Sequence, residues 1–204
     1  FSFTTKANPF APYCGPLTFT TTVEPITNVN FAGINNPSSA STTGGTAHEN
    51  FTSISGTVSP GSTYTMKLQG NTVGNYTNRF VVFIDWNKNG VLNDDGEVYE
   101  VTQTLVNSTG ADGKEVSKDI VVPAGIAEGA TRMRVKKIFS TGNYLNPCLG
   151  TSWGQAEDYT INISSLVAVS SVNKAQAKVY PNPVTDVVNI DASSKVNTVA
   201  VYDL

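Results

Sequence analysis

Apolar and polar residues alternate along most of this chain, and clusters of Gly, Pro, Asn and Ser separate the alternating runs. In the run 158–163, apolar side chains occupy every second position. This period of two predicts β-strands, and almost no segment shows the 3.6-residue period of a helix. The predicted strands are Thr18–Val23, Asn50–Val58, Thr63–Gln69, Arg79–Ile84, Glu97–Leu105, Lys114–Val122, Thr131–Phe139 and Asp158–Ile163. Their number and spacing predict an all-β fold, an antiparallel β-sandwich of the jelly-roll type.

The same pattern divides the chain into four segments. They are an upstream linker (1–12), the sandwich (13–164), a Ser- and Ala-containing linker (165–177) and a final β segment (178–204). Within the sandwich, the nearly all-apolar run Arg79–Ile84 predicts a central strand, and the turn-rich stretch Asn35–Gly45 predicts a loop. The final segment has too few strands for a stable domain. We therefore expect it to continue beyond residue 204 or to be held by a partner.

Charge and composition exclude several classes of function. The formal net charge is −3, the isoelectric point is about 5.1 and only 14% of residues are charged, so the chain has no basic surface suited to nucleic acid. No apolar run approaches the ~20 residues of a membrane-spanning helix. The chain begins at Phe1 without Met, and we expect it to be an internal or processed fragment.

The two cysteines, Cys14 and Cys148, lie far apart in sequence. Two thiols alone are too few for a typical metal site and suffice for one disulfide. Such a bridge would close a loop of roughly 135 residues, which corresponds to about 5 kcal/mol in the chain-entropy model. Two buried free thiols are the alternative.

Residues 83–97 form the stretch that is richest in oxygen donors. A short apolar strand leads directly into carboxylates and side-chain amides, and Gly90 permits a sharp turn. Hard cations such as Ca²⁺ are bound by oxygen ligands, so this loop predicts a structural calcium site. The predicted ligands are the side chains of Asp85, Asn87, Asn89, Asn93, Asp94 and Glu97 and the backbone carbonyl of Val91.

The ligand spacing departs from that of an EF-hand loop. With Asp85 as the first position, the twelfth is Gly96, and the expected carboxylate of Glu97 comes one residue later. No helix pair flanks the loop. Amides among the first ligands reduce the negative charge, so we expect a dissociation constant in the range ~10⁻⁵–10⁻³ M. The alternative is an ion-free turn in which Asn and Asp side chains cap the backbone.

A second polar motif, GQAEDYT, occupies residues 154–160. Successive side chains of a strand point to opposite faces, so Glu157 and Asp158 are not suited to act as a catalytic pair. One of them could contact the predicted calcium loop. The alternative is an ion pair with Arg132 or Arg134.

These motifs, taken in order, resemble those of the GEVED domain. The resemblance spans residues 13–163 and rests on Tyr13-Cys14, HENFT at 48–52, Tyr64, FIDWN at 83–87, Asp94–Glu97, TRMRV at 131–135, Pro147-Cys148 and GQAEDYT. GEVED domains are non-catalytic β-sandwich modules of large secreted proteins of Bacteroidetes-type bacteria, so the resemblance implies a secreted module. The chain departs from the Gly-Glu-Val-Glu-Asp motif at Gln155 and Ala156, while Glu157 and Asp158 match it.

A second resemblance lies in the final segment. VYPNP at 179–183, a following apolar run and VAVYDL at 199–204 resemble the first part of the type A sorting domain of the type IX secretion system. The resemblance implies that Tyr180, Pro181, Asn182 and Pro183 belong to the sorting signal. It also implies that the outer-membrane machinery of that system, a translocon or a shuttle protein, recognises residues 178–204.

The remaining candidate residues favour binding over catalysis. His48 is the only histidine and no nucleophile elbow accompanies it, so neither a catalytic triad nor a zinc site is predicted. Trp86, Tyr144 and Trp153 could form an aromatic platform for a sugar or a peptide, although Trp86 is expected to pack under the calcium loop.

The sequence therefore predicts a non-catalytic, calcium-stabilised β-sandwich of a secreted or cell-surface protein. Export by the type IX secretion system follows from the second resemblance. Two alternatives stay open: an adhesive or carbohydrate-binding module with a surface glycan or protein as ligand, and an accessory domain of a secreted protease whose catalytic domain precedes residue 1.

Overall fold

A computed structural model of the chain describes residues 7–139, 141–165, 177–180 and 189–192. The chain forms two compact units, Phe1–Leu166 and Val167–Leu204. The strands of the first unit are β1 (Thr22–Val23), β2 (Ile26–Phe31), β3 (Ile34–Pro37), β4 (His48–Val58), β5 (Thr63–Gly70), β6 (Thr77–Ile84), β7 (Val98–Val106), β8 (Val116–Val121), β9 (Gly129–Ile138) and β10 (Trp153–Ile163). In the part of the chain described here, no helix has the length and hydropathy needed to cross a bilayer.

Two sheets form the first unit, which confirms the predicted all-β sandwich. One sheet has the order β1-β10-β9-β6-β7, with β4 also paired to β10, and the other has the order β3-β2-β5-β8. Strand β6 lies between β9 and β7, so the apolar run Arg79–Ile84 is a central strand as predicted. Two pairings depart from a purely antiparallel sheet, because β1 and β4 both run parallel to β10.

Strands β2 and β3 were not predicted, and the loop prediction for Asn35–Gly45 is wrong at its start. Residues 35–37 belong to β3, which has one buried apolar residue, Ile34, and which pairs with β2 across a turn at Ala32 and Gly33. In β2 the alternation is interrupted by a register shift between Ile26 and Asn28. A strand that depends on its partner more than on its own pattern is hard to recognise from sequence.

The first and last predicted strands of the sandwich also change their bounds. Only Thr22 and Val23 of the predicted strand Thr18–Val23 are in a strand, because Thr20 and Thr21 bond instead to the loop residues Thr151 and Ser152. Strand β10 begins at Trp153, five residues earlier than predicted. The GQAED segment therefore lies within a strand.

The main core lies between the two sheets. It contains buried aliphatic and aromatic side chains of both sheets, among them Phe31, Met66, Phe80, Val135 and Tyr159. A second, smaller cluster of Tyr13, Val81, Phe83 and Leu92 lies on the outer face of the larger sheet. The outer face is therefore covered as well, by the N-terminal segment that carries Cys14 and by loop residues.

The second unit contains β11 (Ala177–Tyr180) and β12 (Asn189–Ala192), which pair antiparallel. The predicted strand at 199–202 and the Pro-Asn-Pro turn at 181–183 lie outside the described residues.

Candidate functional site

The predicted calcium loop follows β6 directly and begins with a buried carboxylate. Asp85 is fully buried. Its Oδ2 accepts hydrogen bonds from the Tyr13 hydroxyl at 2.7 Å and from the Gly90 amide at 2.9 Å, and its Oδ1 accepts one from the Asn89 amide at 3.2 Å. Gly90 has a φ of 86°, a conformation that favours glycine. The three hydrogen bonds that Asp85 accepts thus hold the turn closed, and none of them requires an ion.

The two amide side chains of the loop converge on a single oxygen atom. Asn87 and Asn89 donate from Nδ2 to Asp94 Oδ2 at 2.8 and 2.7 Å. Their own Oδ1 atoms accept hydrogen bonds from the backbone amides of Asn89 and Val91. These amide hydrogen bonds lower the pKa of Asp94. The arrangement has the hydrogen bonds of the ion-free, Asx-capped turn.

Glu97 is the unusual member of the loop. Its side chain is 2% exposed, Oε1 accepts a hydrogen bond from the Asn87 amide at 3.2 Å, and Oε2 has no hydrogen-bond partner among the described residues. Burial raises the pKa of Glu97, and the nearby charges of Asp85 and Asp94 raise it further. A buried carboxylate oxygen without a donor is costly.

Positive side chains do not compensate this loop. Within the described residues, none of the ion pairs involves Asp85, Asp94, Asp95 or Glu97. The part of the chain that the structure covers also contains no group of three His, Cys, Asp or Glu side chains arranged as a metal site. Asn93 is exposed, and Val91 is 43% exposed. Only some of the predicted ligands therefore lie close together, around Asp94 and Glu97. They do not form a complete coordination shell.

The second motif forms a buried charge cluster around Asp158. Asp158 Oδ1 accepts from Arg134 Nε at 2.6 Å and lies 3.0 Å from His48 Nε2, while Oδ2 accepts from Arg134 Nη2 at 2.9 Å and Arg132 Nη1 at 2.7 Å. Burial alone would raise the pKa of Asp158, but the hydrogen bonds from Arg134 and His48 hold it well below its usual range. Of the two alternatives for this carboxylate, the structure shows the ion pair.

Arg134 connects this cluster to the disulfide. Cys14 and Cys148 are bonded, with 5.4 Å between their Cα atoms, which confirms the predicted bridge. Arg134 donates to the Cys14 carbonyl from Nη2 and to the Pro147 carbonyl from Nη1, each at 2.7 Å. One guanidinium therefore holds both chain segments that the disulfide joins.

Glu157 points to the opposite face from Asp158, as predicted, and has no cationic partner among the described residues. The Tyr159 hydroxyl donates to Glu157 Oε2 at 2.7 Å, and Ser38 Oγ lies 3.4 Å from Oε1. Burial raises the pKa of Glu157 to about 8. This side chain is thus largely a neutral acid at pH 7, a state that sequence patterns do not reveal.

Gln155, where the chain departs from the family motif, uses both halves of its amide. Oε1 accepts from the Ile26 amide at 2.7 Å, and Nε2 donates to the Thr46 carbonyl at 2.9 Å. An ionised glutamate has no donor and could make only the first of these two bonds.

Of the three residues considered for an aromatic platform, Trp86 is buried as expected, and only Trp153 is exposed. Trp86 is 4% exposed and donates from Nε1 to the Tyr99 hydroxyl, and Tyr144 packs against the smaller cluster. Trp153 instead packs edge-on against Phe139, with ring centroids 5.6 Å apart and an interplanar angle of 82°. Phe139 in turn packs against Tyr76 at 5.4 Å and 84°. These rings are 37%, 38% and 52% exposed, respectively.

The three rings, with Thr22, Glu24 and Val73, line a pocket of about 440 Å³, which we call the aromatic pocket. Tyr76 precedes β6, Phe139 follows β9 and Trp153 begins β10. The pocket exists because these three strand termini lie at the same end of the larger sheet. A sequence signal would have been an exposed aromatic residue at each strand terminus.

His48 is 3% exposed and lies in the charge cluster. Its Nδ1 accepts a hydrogen bond from the Leu17 amide at 3.0 Å, and its ring stacks on Phe10 at 3.9 Å. In the final unit, Tyr180 is 50% exposed, and the predicted signal residues Pro181, Asn182 and Pro183 lie outside the described residues.

Known protein families match the chain in two separate places, one in each of its two units. The GEVED domain family matches residues 79–162, and the secretion system C-terminal sorting domain family matches residues 178–204. No curated protein matches the chain.

Three solved structures show distant similarity. They are the cellulose-active LPMO CelS2 in complex with copper (13% identity, 53% of each chain covered, TM-score 0.32), the PKD domain of an M14-like peptidase from Thermoplasmatales archaeon SCGC AB-540-F20 (16%, 53% of this chain and 84% of that one, 0.28) and a cellulose-active polysaccharide monooxygenase from M. thermophila (13%, 70% and 78%, 0.32). The chain spans about half the length of the first of them. All three TM-scores lie below 0.5, so these likenesses carry no weight for function.

The two family matches agree with what the sequence predicted. GEVED is a non-catalytic, module-type domain. A sorting domain of this kind indicates export across the outer membrane, to the cell surface or the medium, and contact with the type IX secretion machinery. Residues 79–162 therefore match the GEVED domain family, and residues 178–204 match the C-terminal sorting domain family of the type IX secretion system.

Proposed function

We propose that the first unit is a structural module that binds one Ca²⁺ in the loop at 85–97 and is stabilised by it after export. The observation that carries this proposal is the buried Glu97 Oε2, which has no hydrogen-bond partner in the part of the chain that the structure describes. Asp85 and Asp94 lie close enough to raise the pKa of Glu97. Several carboxylates without a basic partner are a favourable setting for a divalent cation.

The amide side chains support the same site. Asn87 and Asn89 both direct their Nδ2 atoms at Asp94 Oδ2. A side-chain amide has one oxygen and one nitrogen of nearly the same size, so rotation of either amide presents an oxygen to the same point. The rotation removes Oδ1 from its backbone donor, which favours a weak site in the range ~10⁻⁵–10⁻³ M.

The substitution Glu97→Gln tests the calcium proposal. In wild type, Ca²⁺ at five- to hundred-fold above Kd should raise the free energy of unfolding by about 1–3 kcal/mol. The variant should lose most of this increase. With a chelator it should be at least as stable as wild type, because it removes an uncompensated buried charge. Thermal unfolding with calcium and with chelator measures both effects.

Asp95→Asn is the matched control, since Asp95 is exposed, lies in the same loop and is not among the predicted ligands. It should keep most of the calcium response. Asp85 is unsuitable as a probe because it makes three hydrogen bonds that need no ion. An unchanged wild-type unfolding temperature at millimolar Ca²⁺ would overturn the proposal.

A second candidate function is recognition of a sugar through the aromatic pocket. Its support is the exposure of Tyr76, Phe139 and Trp153 around one cavity, because apolar pockets with a few polar groups are the usual form of ligand sites. Trp153→Ala should abolish binding on a glycan array and in calorimetry, with Tyr180→Ala as a control for an exposed aromatic residue outside the sandwich. Absence of binding to every glycan tested would refute this candidate.

A further inference from the structure

Three polar side chains meet in the protein interior below the aromatic pocket. Asn78 lies on β6 and Lys137 on the neighbouring antiparallel strand β9, where Lys137 pairs with Phe80. Glu24 directly follows β1. Their exposed fractions are 3% for Glu24 and 0% for Asn78 and Lys137. We call these residues the Lys-Asn-Glu cluster.

A single carboxylate oxygen contacts both nitrogen atoms of the cluster. Glu24 Oε2 accepts a hydrogen bond from Asn78 Nδ2 at 2.8 Å and lies 3.6 Å from Lys137 Nζ. The carbonyl oxygen of Asn78, Oδ1, is buried and has no hydrogen-bond partner among the described residues. A buried and unsatisfied amide oxygen destabilises the folded state, so this arrangement is not explained by stability alone.

Burial favours the neutral forms of the Glu24 carboxyl group and the Lys137 amine. Desolvation lowers the pKa of Lys137 to about 7, and it raises the pKa of Glu24. Lys137 Nζ also donates to the backbone carbonyls of Asn71 at 2.7 Å and Glu24 at 3.2 Å. A neutral amine that donates two hydrogen bonds keeps its lone pair free, which is the requirement for a lysine nucleophile.

We propose that Lys137 and Asn78 form an intramolecular amide bond, with Glu24 as the proton carrier. Lys137 Nζ forms a bond to Asn78 Cγ, and the bond between Cγ and Nδ2 breaks. One hydrogen of Nζ passes as a proton through Glu24 Oε2 to Nδ2, which leaves as ammonia. Atoms and electrons balance without an oxidant, a reductant or a cofactor.

The position of Glu24 fits this role. Its Oε2 lies 3.6 Å from the Lys137 nitrogen that loses a proton and 2.8 Å from the Asn78 nitrogen that gains one. The fold holds all three groups together in a buried site. Glu24 also lines the aromatic pocket, which gives ammonia a route to solvent. The product would link β6 to β9 covalently in the centre of the larger sheet. This inference is independent of the calcium and sugar proposals.

Mass spectrometry of the folded, full chain tests the proposal. After reduction of the disulfide and denaturation, the mass should be lower than that of the sequence by one molecule of ammonia. Proteolysis should release a branched peptide that joins the segments containing Lys137 and Asn78. Both Lys137→Met and Glu24→Gln should restore the unmodified mass, and the second variant keeps the shape of the site.

Lys136→Met is the matched control, because the ammonium group of the neighbouring Lys136 donates to three backbone carbonyls and lies over the Phe83 ring. This variant should keep the mass loss. Cyclisation at Asn89-Gly90 would also release ammonia, but it yields no branched peptide and persists in Lys137→Met. A folded wild-type chain with the unmodified mass after incubation at neutral pH overturns the proposal. So does a mass loss that survives in Lys137→Met. The wild-type peptide map decides the question even if a variant fails to fold.

Discussion

Glu157 and Asp158 are adjacent acidic residues, but one is neutral and the other is ionised because their partners differ. Asp158 meets two guanidinium groups and an imidazole and stays ionised. Glu157, one residue earlier and on the other face of β10, meets hydroxyl groups only. In a buried site, hydroxyl donors do not offset the loss of hydration of a full charge. In this chain the motif therefore combines one charged and one neutral carboxyl group.

The neutral state of Glu157 predicts a pH dependence. Burial raises the pKa of Glu157 to about 8 in the folded protein, against 4.5 for an ordinary glutamate, so the folded state binds this proton more tightly than the unfolded state. Its stabilising contribution is complete below the unfolded pKa and is lost as pH rises towards 8. Glu157→Gln should gain stability relative to wild type by about 1–3 kcal/mol between pH 5 and pH 8.

Urea unfolding at a series of pH values measures this difference. Glu115→Gln, which affects an exposed ion pair with Lys67, is the control and should change little across the range. A difference between Glu157→Gln and wild type that stays constant with pH would contradict the prediction.

Strands β9 and β10 act as one element through Arg134 and Asp158, which are directly paired in register. The same guanidinium fixes the carbonyls of Cys14 and Pro147. The pair thus connects the sheet to the segments that cover its outer face. Removing one partner of a buried ion pair destabilises the protein because it leaves the other charge buried without compensation.

Arg134→Met should therefore lower the free energy of unfolding by about 3–5 kcal/mol. Arg132→Met should cost less, since Arg132 is partly exposed and makes one hydrogen bond to the same carboxylate. The double variant Arg134→Met/Asp158→Leu should be less destabilised than the sum of the single variants, as a double-mutant cycle would show. Additive effects would mean that the pair is not a coupled unit.

At the scale of the whole first unit, the disulfide and the loop at 85–97 are adjacent through Tyr13. Tyr13 precedes Cys14 in sequence and donates its hydroxyl to Asp85 at 2.7 Å. Burial and this hydrogen bond raise the pKa of Tyr13 to about 12, so it remains a donor at neutral pH. Loss of the disulfide would loosen the segment that orders Asp85.

If the loop binds calcium as proposed, the two sites should be coupled. Reduction of Cys14–Cys148 should weaken Ca²⁺ binding about fivefold, which corresponds to about 1 kcal/mol of coupling. Tyr13→Phe should bind calcium more weakly in the oxidised state and should lose most of the redox effect. Calorimetric titration of oxidised and reduced protein measures this, and equal affinities in both states would exclude the coupling.

The sequence was sufficient where the signal is local or compositional. The period of two in runs such as 158–163 predicted strands, and two cysteines in a secreted type of chain predicted the bridge. An ion pair with Arg132 or Arg134 was an open alternative for the GQAEDYT motif, whereas the place of His48 in the charge cluster and the aromatic pocket depend on strand order. Nothing in the sequence places β10 between β4 and β9, and this placement brings Asp158 to His48 and Trp153 to Phe139. Strand β3 was missed because its pairing, not its own residues, makes it a strand.

The position of the disulfide has a mechanical consequence for a protein that works outside the cell. Cys148 lies five residues before β10, the last strand of the first unit, and its bond to Cys14 spans a sequence separation of 134. A pull on the two ends of this unit passes from Cys14 through the sulfur atoms to Cys148 and then into β10. The intervening residues carry no load along the covalent path. Under tension, only the short segments outside the bridge can be extended, even if the residues between the two cysteines unfold.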